Sequence, residues 1–200
     1  ILEELESIPV LESPPGDNES SLPLAGVKVL DFMWALAGPG ATRTLADFGA
    51  TVIRVESSSR LDVIRTIRPF IDSDESPEKS ALFHNTNAGK RLLNLDLTTP
   101  EGKEVVLDLV RWCDVVTESF SPKAMKAFGL DYESLREINP NLIMLSTCLF
   151  GQTGPLSMFA GYGNLAAAIA GFYAITGWPD REPAGPFGAY TDYIAPRYNA

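Results

Sequence analysis

One carboxylate near the end of the chain stands apart from the other acidic side chains. Asp192 lies in the stretch GAYTDYIAPRY, residues 188–198, which is rich in small and aromatic residues and contains no other acid. Two interpretations of this carboxylate are open: it caps a following helix, or it is a reactive group held in an enclosed site. Small neighbours allow a substrate to approach closely, and aromatic rings exclude water. The local residues alone favour the cap, so the rest of the chain has to decide.

Metal and disulfide chemistry have little support in the sequence. The only cysteines, Cys113 and Cys148, are far apart and form no CxxC motif, and His84 is the single histidine. We therefore predict no zinc site and no disulfide framework. Because the two cysteines are not expected to form a disulfide, we predict a reducing, cytoplasmic compartment.

The net charge of −10 is unevenly distributed along the 200 residues. Residues 1–22 carry six acids and no base, so this segment is expected to be an acidic linker or tail, and the body carries about −4. Such a body is not a nucleic-acid binder by charge. No apolar run approaches the roughly 20 residues of a membrane helix. Basic side chains that could still gather around an anionic ligand are Arg54, Arg60, Arg65, Arg68, Lys90 and Arg91.

Strand-like and helical patterns alternate after the tail. Apolar, often β-branched runs predict strands at 27–32, 51–56, 91–97, 114–119 and 142–150, the last one long and buried. Apolar spacing predicts helices at 41–49, 99–113, 121–129, 131–140 and 164–176. Thr99 and Asp131 are predicted helix N-caps. This alternation predicts one α/β domain over 23–200, with a Rossmann-like, mostly parallel sheet flanked by helices.

Ligands of such sheets bind beyond the carboxyl ends of the strands. The loops expected there are 33–40, 57–60, 119–122 and 151–164. The first of them contains Gly38 and Gly40 but no GxGxxG, and GxxxxGK[ST] is absent from the chain. A nicotinamide-dependent oxidoreductase therefore loses its main support.

Long stretches of the chain resemble one family. These are PLAGVKVLDF, ALAGPGATRTLADFGATVIRVE, NAGKRLLNLDLTTPEGKEVVLDLVRWCDVVTESFSP and FGLDYESLREINPNLIMLSTCLFGQTGP. Residues 23–195 are similar, in the same order and almost without gaps, to the N-terminal half of the family III coenzyme A (CoA) transferases. This family includes formyl-CoA and carnitine CoA-transferases and α-methylacyl-CoA racemases. The resemblance implies that the family chain continues beyond residue 200.

The resemblance favours the reactive interpretation of Asp192. Counting from TGWPDREPAG, the nucleophilic aspartate of the transferases falls on Asp192. That residue would attack an acyl-CoA thioester to give a mixed anhydride and then an aspartyl-CoA thioester, from which a second carboxylic acid takes the CoA. Acyl-CoA and a carboxylic acid are thus the implied substrates, with no permanently bound cofactor, and an intertwined homodimer is the implied assembly.

The resemblance also implies which residues contact CoA. They are Leu36, Ala37, Leu95, Asp96, Leu97, Thr98, Ser119, Phe120, Ser121, Gly161 and Tyr162. Lys90 and Arg91 are candidate phosphate partners, and could equally be surface charges.

Departures from the family pattern leave alternatives open. Formyl-CoA transferases carry Gln at Leu36, Asn at Ser119, and basic residues at Ser57, Ala127 and Ala160. Racemases carry a His and an Asp where this chain has Tyr162 and Gly163, and an unperturbed tyrosine, with a pKa near 10, is a poor base. Transferase chemistry is therefore favoured over racemisation. A non-catalytic, CoA-binding half of a fused two-copy transferase is the other alternative.

Overall fold

Five parallel strands form a single sheet in the computed structural model, which describes residues 22–200. The predicted tail therefore lies, except for Leu22, outside the described residues. Hydrogen-bonded neighbours follow the order β3-β2-β1-β4-β5, and every pair is parallel. The strands are β1 Lys28–Phe32, β2 Thr51–Glu56, β3 Arg91–Asn94, β4 Val115–Glu118 and β5 Ile143–Ser146. The predicted α/β class and parallel sheet are confirmed.

Helices connect the strands and cover the sheet. The nine α-helices of the described residues are α1 Ala37–Asp47, α2 Ala81–Asn87, α3 Pro100–Trp112, α4 Pro122–Phe128, α5 Tyr132–Ile138, α6 Gly163–Ile169, α7 Phe172–Ile175, α8 Tyr190–Ile194 and α9 Pro196–Asn199. Short 3-10 helices lie at Val63–Thr66, Ile71–Ser73 and Pro77–Lys79. Within residues 22–200, no helix has both the length and the apolar character needed to cross a bilayer.

Both predicted N-caps are confirmed by their side-chain hydrogen bonds. Thr99 accepts from the Gly102 N–H at the start of α3, and Asp131 accepts from the Ser134 N–H at the start of α5. Each cap satisfies a backbone donor that has no partner within its own helix.

Four predicted boundaries were wrong. Helix α1 begins at Ala37 rather than residue 41, because its Gly-Pro-Gly segment forms the first turn instead of a loop. The predicted strand 142–150 shrinks to β5, an edge strand whose Ile143 is 64% exposed. The predicted helix 164–176 is two helices, because Gly171 adopts a left-handed conformation with φ of 87°. The strand predicted at 91–97 likewise ends at Asn94.

The main hydrophobic core lies between the sheet and α3. Leu30 and Val116 from the sheet are fully buried against Val106 and Val110 of α3. Because the apolar residues of α3 recur every three to four positions, one face of the helix covers the centre of the sheet. This packing leaves the carboxyl ends of β1 and β4 free to carry loops.

A buried ion pair joins the residue before β3 to β1. Lys90 Nζ lies 3.0 Å from Asp31 Oδ2, and neither side chain is exposed to solvent. Nζ also donates to the carbonyl of Pro39 and to Oδ1 of Asn87, and Thr42 Oγ1 donates to Asp31 at 2.7 Å. Burial lowers the pKa of Lys90 to about 8, and the Asp31 carboxylate opposes this decrease. The pair therefore ties α1 and α2 to the middle of the sheet.

We predict that Lys90→Met destabilises the protein by about 3–5 kcal/mol, because it leaves the Asp31 carboxylate buried without its cation. Urea unfolding followed by circular dichroism measures the loss. Arg111→Met is the control, because Arg111 forms an exposed pair with Asp108 and should lose no more than about 1 kcal/mol. Equal losses in the two variants would show that the buried pair is not needed for stability.

Candidate active site

A cavity of about 890 Å³ opens at the carboxyl edge of the sheet. Its walls come from the loops after β1, β2, β4 and β5 together with α6, α8 and α9. Most of the residues predicted to bind CoA line this cavity, as does the predicted nucleophile: Leu36, Ala37, Ser119, Phe120, Ser121, Gly161, Tyr162 and Asp192. The site therefore gathers residues that lie more than 150 positions apart in the chain.

The predicted CoA contacts Leu95, Asp96, Leu97 and Thr98 do not line this cavity. They follow β3, which is an edge strand two positions from β1. Asp96 accepts from the backbone N–H and the hydroxyl of Thr98 and from Ser59, and these hydrogen bonds lower its pKa. The segment thus adjoins the loop after β2, and its contact with CoA stays a prediction.

Asp192 lies in the first turn of α8 and does not act as a helix cap. The cap positions of α8 and α9 are Ala189 and Ala195, and neither helix has a side-chain cap. The carboxylate is half-buried in the cavity wall. Burial raises its pKa, and a backbone hydrogen bond from Gly163 opposes the increase. The structure thus removes the cap interpretation and leaves a partly desolvated carboxylate facing a cavity.

Gly163, the first residue of α6, allows the Asp192 carboxylate its position. A Cβ atom added to Gly163 would lie 2.1 Å from Asp192 Oδ2 and 2.3 Å from Thr191 Oγ1. Any side chain at this position would have to displace one of these groups. An acid at this position, as the resemblance leads one to expect, would have to displace the Asp192 carboxylate or the Thr191 hydroxyl from where they lie in this chain.

Thr191, which sequence reasoning missed, places a second polar group beside Asp192. Its Oγ1 is buried and has no hydrogen-bond partner among the described residues, yet Thr191 lines the cavity. A buried hydroxyl without a partner is costly, and a bound ligand can satisfy it. Its position next to Asp192 is the only signal of this role in the sequence.

Asp62 holds the loop after β1 in an unusual conformation. Ala35 has a φ of 63°, which a residue with a side chain seldom adopts. Its N–H donates to both carboxylate oxygens of Asp62, at 3.0 and 3.1 Å. Asp62 is in turn paired with Arg54, and neither side chain is exposed. Burial raises the pKa of Asp62, and the Arg54 guanidinium opposes this increase. The cavity wall at residues 34–37 is thus fixed by an ion pair beneath it.

The loop after β4 is anchored in a similar way. Trp34 N–H donates to Ser119 Oγ at 2.9 Å, so this serine, predicted to bind CoA, also joins two loops of the cavity. Phe120 N–H donates to Glu118 Oε2 at 2.7 Å, and burial raises the pKa of Glu118. The rings of Trp34 and Phe120 pack edge to face, with centroids 5.9 Å apart. An aromatic wall is thereby built across two strand ends.

Of the basic side chains considered from sequence, only Arg60 lines the cavity. Lys90 is neither the phosphate partner nor the surface charge considered from sequence, because its ammonium is buried and donates to three acceptors of the protein. Arg65 is buried against Glu56, and Arg68 pairs with Glu75. Arg54 forms an ion pair with Asp62, as described above. Arg91, the other phosphate candidate, is the first residue of β3 and does not line the cavity.

The fold is a parallel α/β sheet, and its site is a half-buried carboxylate in the cavity at the carboxyl edge of that sheet. Residues 24–200 match the model of CoA-transferase family III, and the chain belongs to that family. It is 45% identical over 179 residues to succinate–glutarate CoA-transferase of Agrobacterium fabrum, covering 88% of this chain and 45% of that protein. It is 38% identical over 186 residues to human succinyl-CoA:glutarate CoA-transferase, covering 92% and 41%.

A solved structure supports the fold assignment. The crystal structure of a CAIB/BAIF family protein from Brucella suis superposes with a TM-score of 0.81 at 42% identity, covering 90% of this chain and 47% of that one. The chain therefore spans about half the length of the relatives it matches.

We predict that Gly163→Ala destabilises the protein by about 1–3 kcal/mol, because the added methyl group crowds the side chains of Thr191 and Asp192. Urea unfolding of Gly163→Ala is compared with the same change in a Thr191→Ala, Asp192→Ala background. The cost should fall there, because the crowding atoms are gone. The same cost in both backgrounds would show that these side chains do not determine the need for glycine.

Proposed function

We propose that this chain forms the nucleophilic half of a CoA-transferase, which moves CoA from an acyl-CoA to a free carboxylic acid through Asp192. The observation that carries the proposal is that Asp192 is, among residues 22–200, the only acidic side chain lining the cavity. Its carboxylate forms no ion pair with any cation of residues 22–200. A carboxylate kept half-desolvated without a cation is suited to attack a carbonyl.

The proposed reaction passes through two kinds of covalent enzyme intermediate, a mixed anhydride and a thioester. An Asp192 oxygen attacks the thioester carbonyl, the C–S bond breaks, and a mixed anhydride and CoA thiolate result. The thiolate then attacks the aspartyl carbonyl, releasing the donor acid and forming an aspartyl-CoA thioester. The acceptor carboxylate attacks this thioester to give a second anhydride and thiolate. Attack of the thiolate on the acceptor's carbonyl yields the new acyl-CoA and restores Asp192.

The surroundings of Asp192 fit these steps. Burial raises the pKa of the carboxylate, which makes the ionised form more basic and more nucleophilic. The Gly163 N–H opposes that increase and orients the carboxylate. The Thr191 hydroxyl can donate to an oxygen that becomes negative during attack. Exclusion of water would protect the anhydride from hydrolysis.

CoA is proposed to lie across the loops that line the cavity. Leu36 and Ala37 would approach the thioester, and Gly161 and Tyr162 the pantetheine near the reacting end. Ser119, Phe120 and Ser121 would approach the nucleotide. The adjoining segment 95–98 would extend the nucleotide contact beyond the cavity, by way of Ser59.

The substrates proposed for this chain are short dicarboxylic acids and their CoA thioesters. The support is that relatives at 45% and 38% identity are named for succinate and glutarate.

We also propose a homodimer in a reducing, cytoplasmic compartment. Large apolar side chains near the end of the chain are highly exposed, such as Phe187, Ile175 and Trp178, and need a partner or further chain to cover them. Both cysteines are free, as a reducing compartment requires.

Racemisation has less support than transfer. It needs a second acid–base group on the opposite face of the α-carbon, and none of residues 22–200 brings an imidazole to the cavity wall. Tyr162 is 69% exposed, and His84 lies on α2, where it contacts the Glu78 carbonyl. Exchange of the α-proton of an acyl-CoA with deuterated water would favour racemisation over transfer.

The first functional prediction concerns Asp192→Asn. We expect kcat to fall by at least about 10³-fold, because an amide is a poor nucleophile. CoA exchange between succinyl-CoA and glutarate, catalysed by the full-length protein, measures it. Mass spectrometry of the full-length protein after incubation with acyl-CoA should find an adduct on the peptide containing residues 188–198 in the wild type alone. Asp180→Asn, an exposed acid outside the cavity, is the matched control.

Two outcomes of this experiment would contradict the proposal. Turnover by Asp192→Asn at the wild-type rate would remove Asp192 from the mechanism. CoA binding without turnover or adduct in the wild type would favour the non-catalytic, CoA-binding alternative.

A further prediction uses the raised pKa of Asp192. A folded-state pKa above the ordinary 3.8 means that the folded protein holds this proton to higher pH than the unfolded chain does. The stability contributed by the protonated form is present at low pH and is lost as pH rises through the folded-state pKa. Asp192→Asn should therefore gain stability relative to wild type between about pH 3.5 and pH 7. Urea unfolding at both pH values measures this gain, and Asp180→Asn should not show it.

A further inference from the structure

In the part of the chain that the structure describes, one cation and one carboxylate line the cavity. The cation is Arg60, and the carboxylate is Asp192. Arg60 forms no ion pair with any acid of residues 22–200, in contrast to Arg54, Arg65 and Arg68. An exposed guanidinium that has no carboxylate partner and faces a cavity keeps its five N–H donors available to a ligand.

Trp34 provides the guanidinium of Arg60 with a platform. The Arg60 Cζ lies over the Trp34 ring, 5.6 Å from its centroid. A guanidinium on an aromatic face is held by the ring and loses less freedom when it binds an anion. Because Trp34 also packs on Phe120, Arg60 belongs to the aromatic wall described above.

The backbone of Arg60 belongs to a hydrogen-bonded turn. Residues 57–60 form a tight turn in which the Arg60 N–H donates to the Ser57 carbonyl at 3.1 Å. The Ser58 N–H donates to Asn94 Oδ1 at 2.8 Å, which ties the turn to the carboxyl end of β3. The cation therefore projects from a braced turn rather than from a loose loop.

We propose that Arg60 and Trp34 form an anion subsite of the cavity, which binds anionic oxygens of the substrate. Two groups of the substrate carry that chemistry: a phosphate of CoA, and the distal carboxylate of a dicarboxylic acyl group. Both suit the forked geometry of a guanidinium, which binds two oxygens at once. The inference deepens the proposed function and rests on it.

The test compares Arg60→Gln with the parent, both carrying Asp192→Asn so that no acyl transfer occurs during titration. Isothermal titration calorimetry measures binding of CoA, acetyl-CoA and succinyl-CoA. If a phosphate is bound, Arg60→Gln should weaken all three ligands by about 10- to 100-fold, since a hydrogen bond to a charged group is lost. If the distal carboxylate is bound, only succinyl-CoA should weaken, by a similar factor.

Two further variants make the test specific. Arg60→Lys keeps the charge but not the fork, and should recover part of the lost affinity. Arg111→Gln removes an exposed arginine paired with Asp108, and should bind all three ligands like the parent.

The outcomes separate the subsite from the proposed function. Unchanged affinity of Arg60→Gln for all three ligands would overturn the subsite and leave the transferase proposal standing. Failure of CoA and both thioesters to bind the parent would overturn both.

Discussion

Charges buried at the carboxyl ends of β1 and β2 are the constraint on which the rest of the structure depends. Asp31 with Lys90 and Arg54 with Asp62 are fully removed from solvent. A buried charge is strongly destabilising without a close partner of opposite sign, so each pair forces the elements that carry it into one arrangement. The Asp62 pair also holds Ala35 in a left-handed conformation. The conformation of the cavity wall at Ala35 thus depends on the buried ion pair between Asp62 and Arg54.

Charged side chains that are paired within the protein stabilise its fold, whereas the proposed chemistry uses charged side chains without such partners. Most basic side chains near the site are neutralised by acids within the protein, and they stabilise the fold. The two charges of the cavity wall, Arg60 and Asp192, are without such partners among the described residues. A charge without a partner in the protein is available to an opposite charge or a reacting carbonyl of the substrate. Substrate binding is therefore proposed at Arg60, and nucleophilic attack at Asp192.

Close approach of the backbone supports the proposed nucleophile. At Gly163 the chain comes so near to Asp192 and Thr191 that a single carbon atom would overlap them. The absence of a side chain therefore has a function in itself: it admits a backbone N–H to the carboxylate. The Thr191 hydroxyl beside it is buried without a hydrogen-bond partner among the described residues, which is consistent with a site that is completed by its ligand.

The sequence by itself determined the parts of the molecule that depend on local patterns. Strand and helix alternation, the Thr99 and Asp131 caps and the parallel sheet follow from residue periodicity and local hydrogen bonding, and family resemblance singled out Asp192. Only the tertiary structure decided which basic side chains form ion pairs with buried acids, because the partners lie far apart in the chain, as Lys90 and Asp31 do. The edge position and shortness of β5 were decided in the same way. The burial of side chains and the pairing of charges arise when distant segments of the chain come into contact, so local sequence patterns do not predict them.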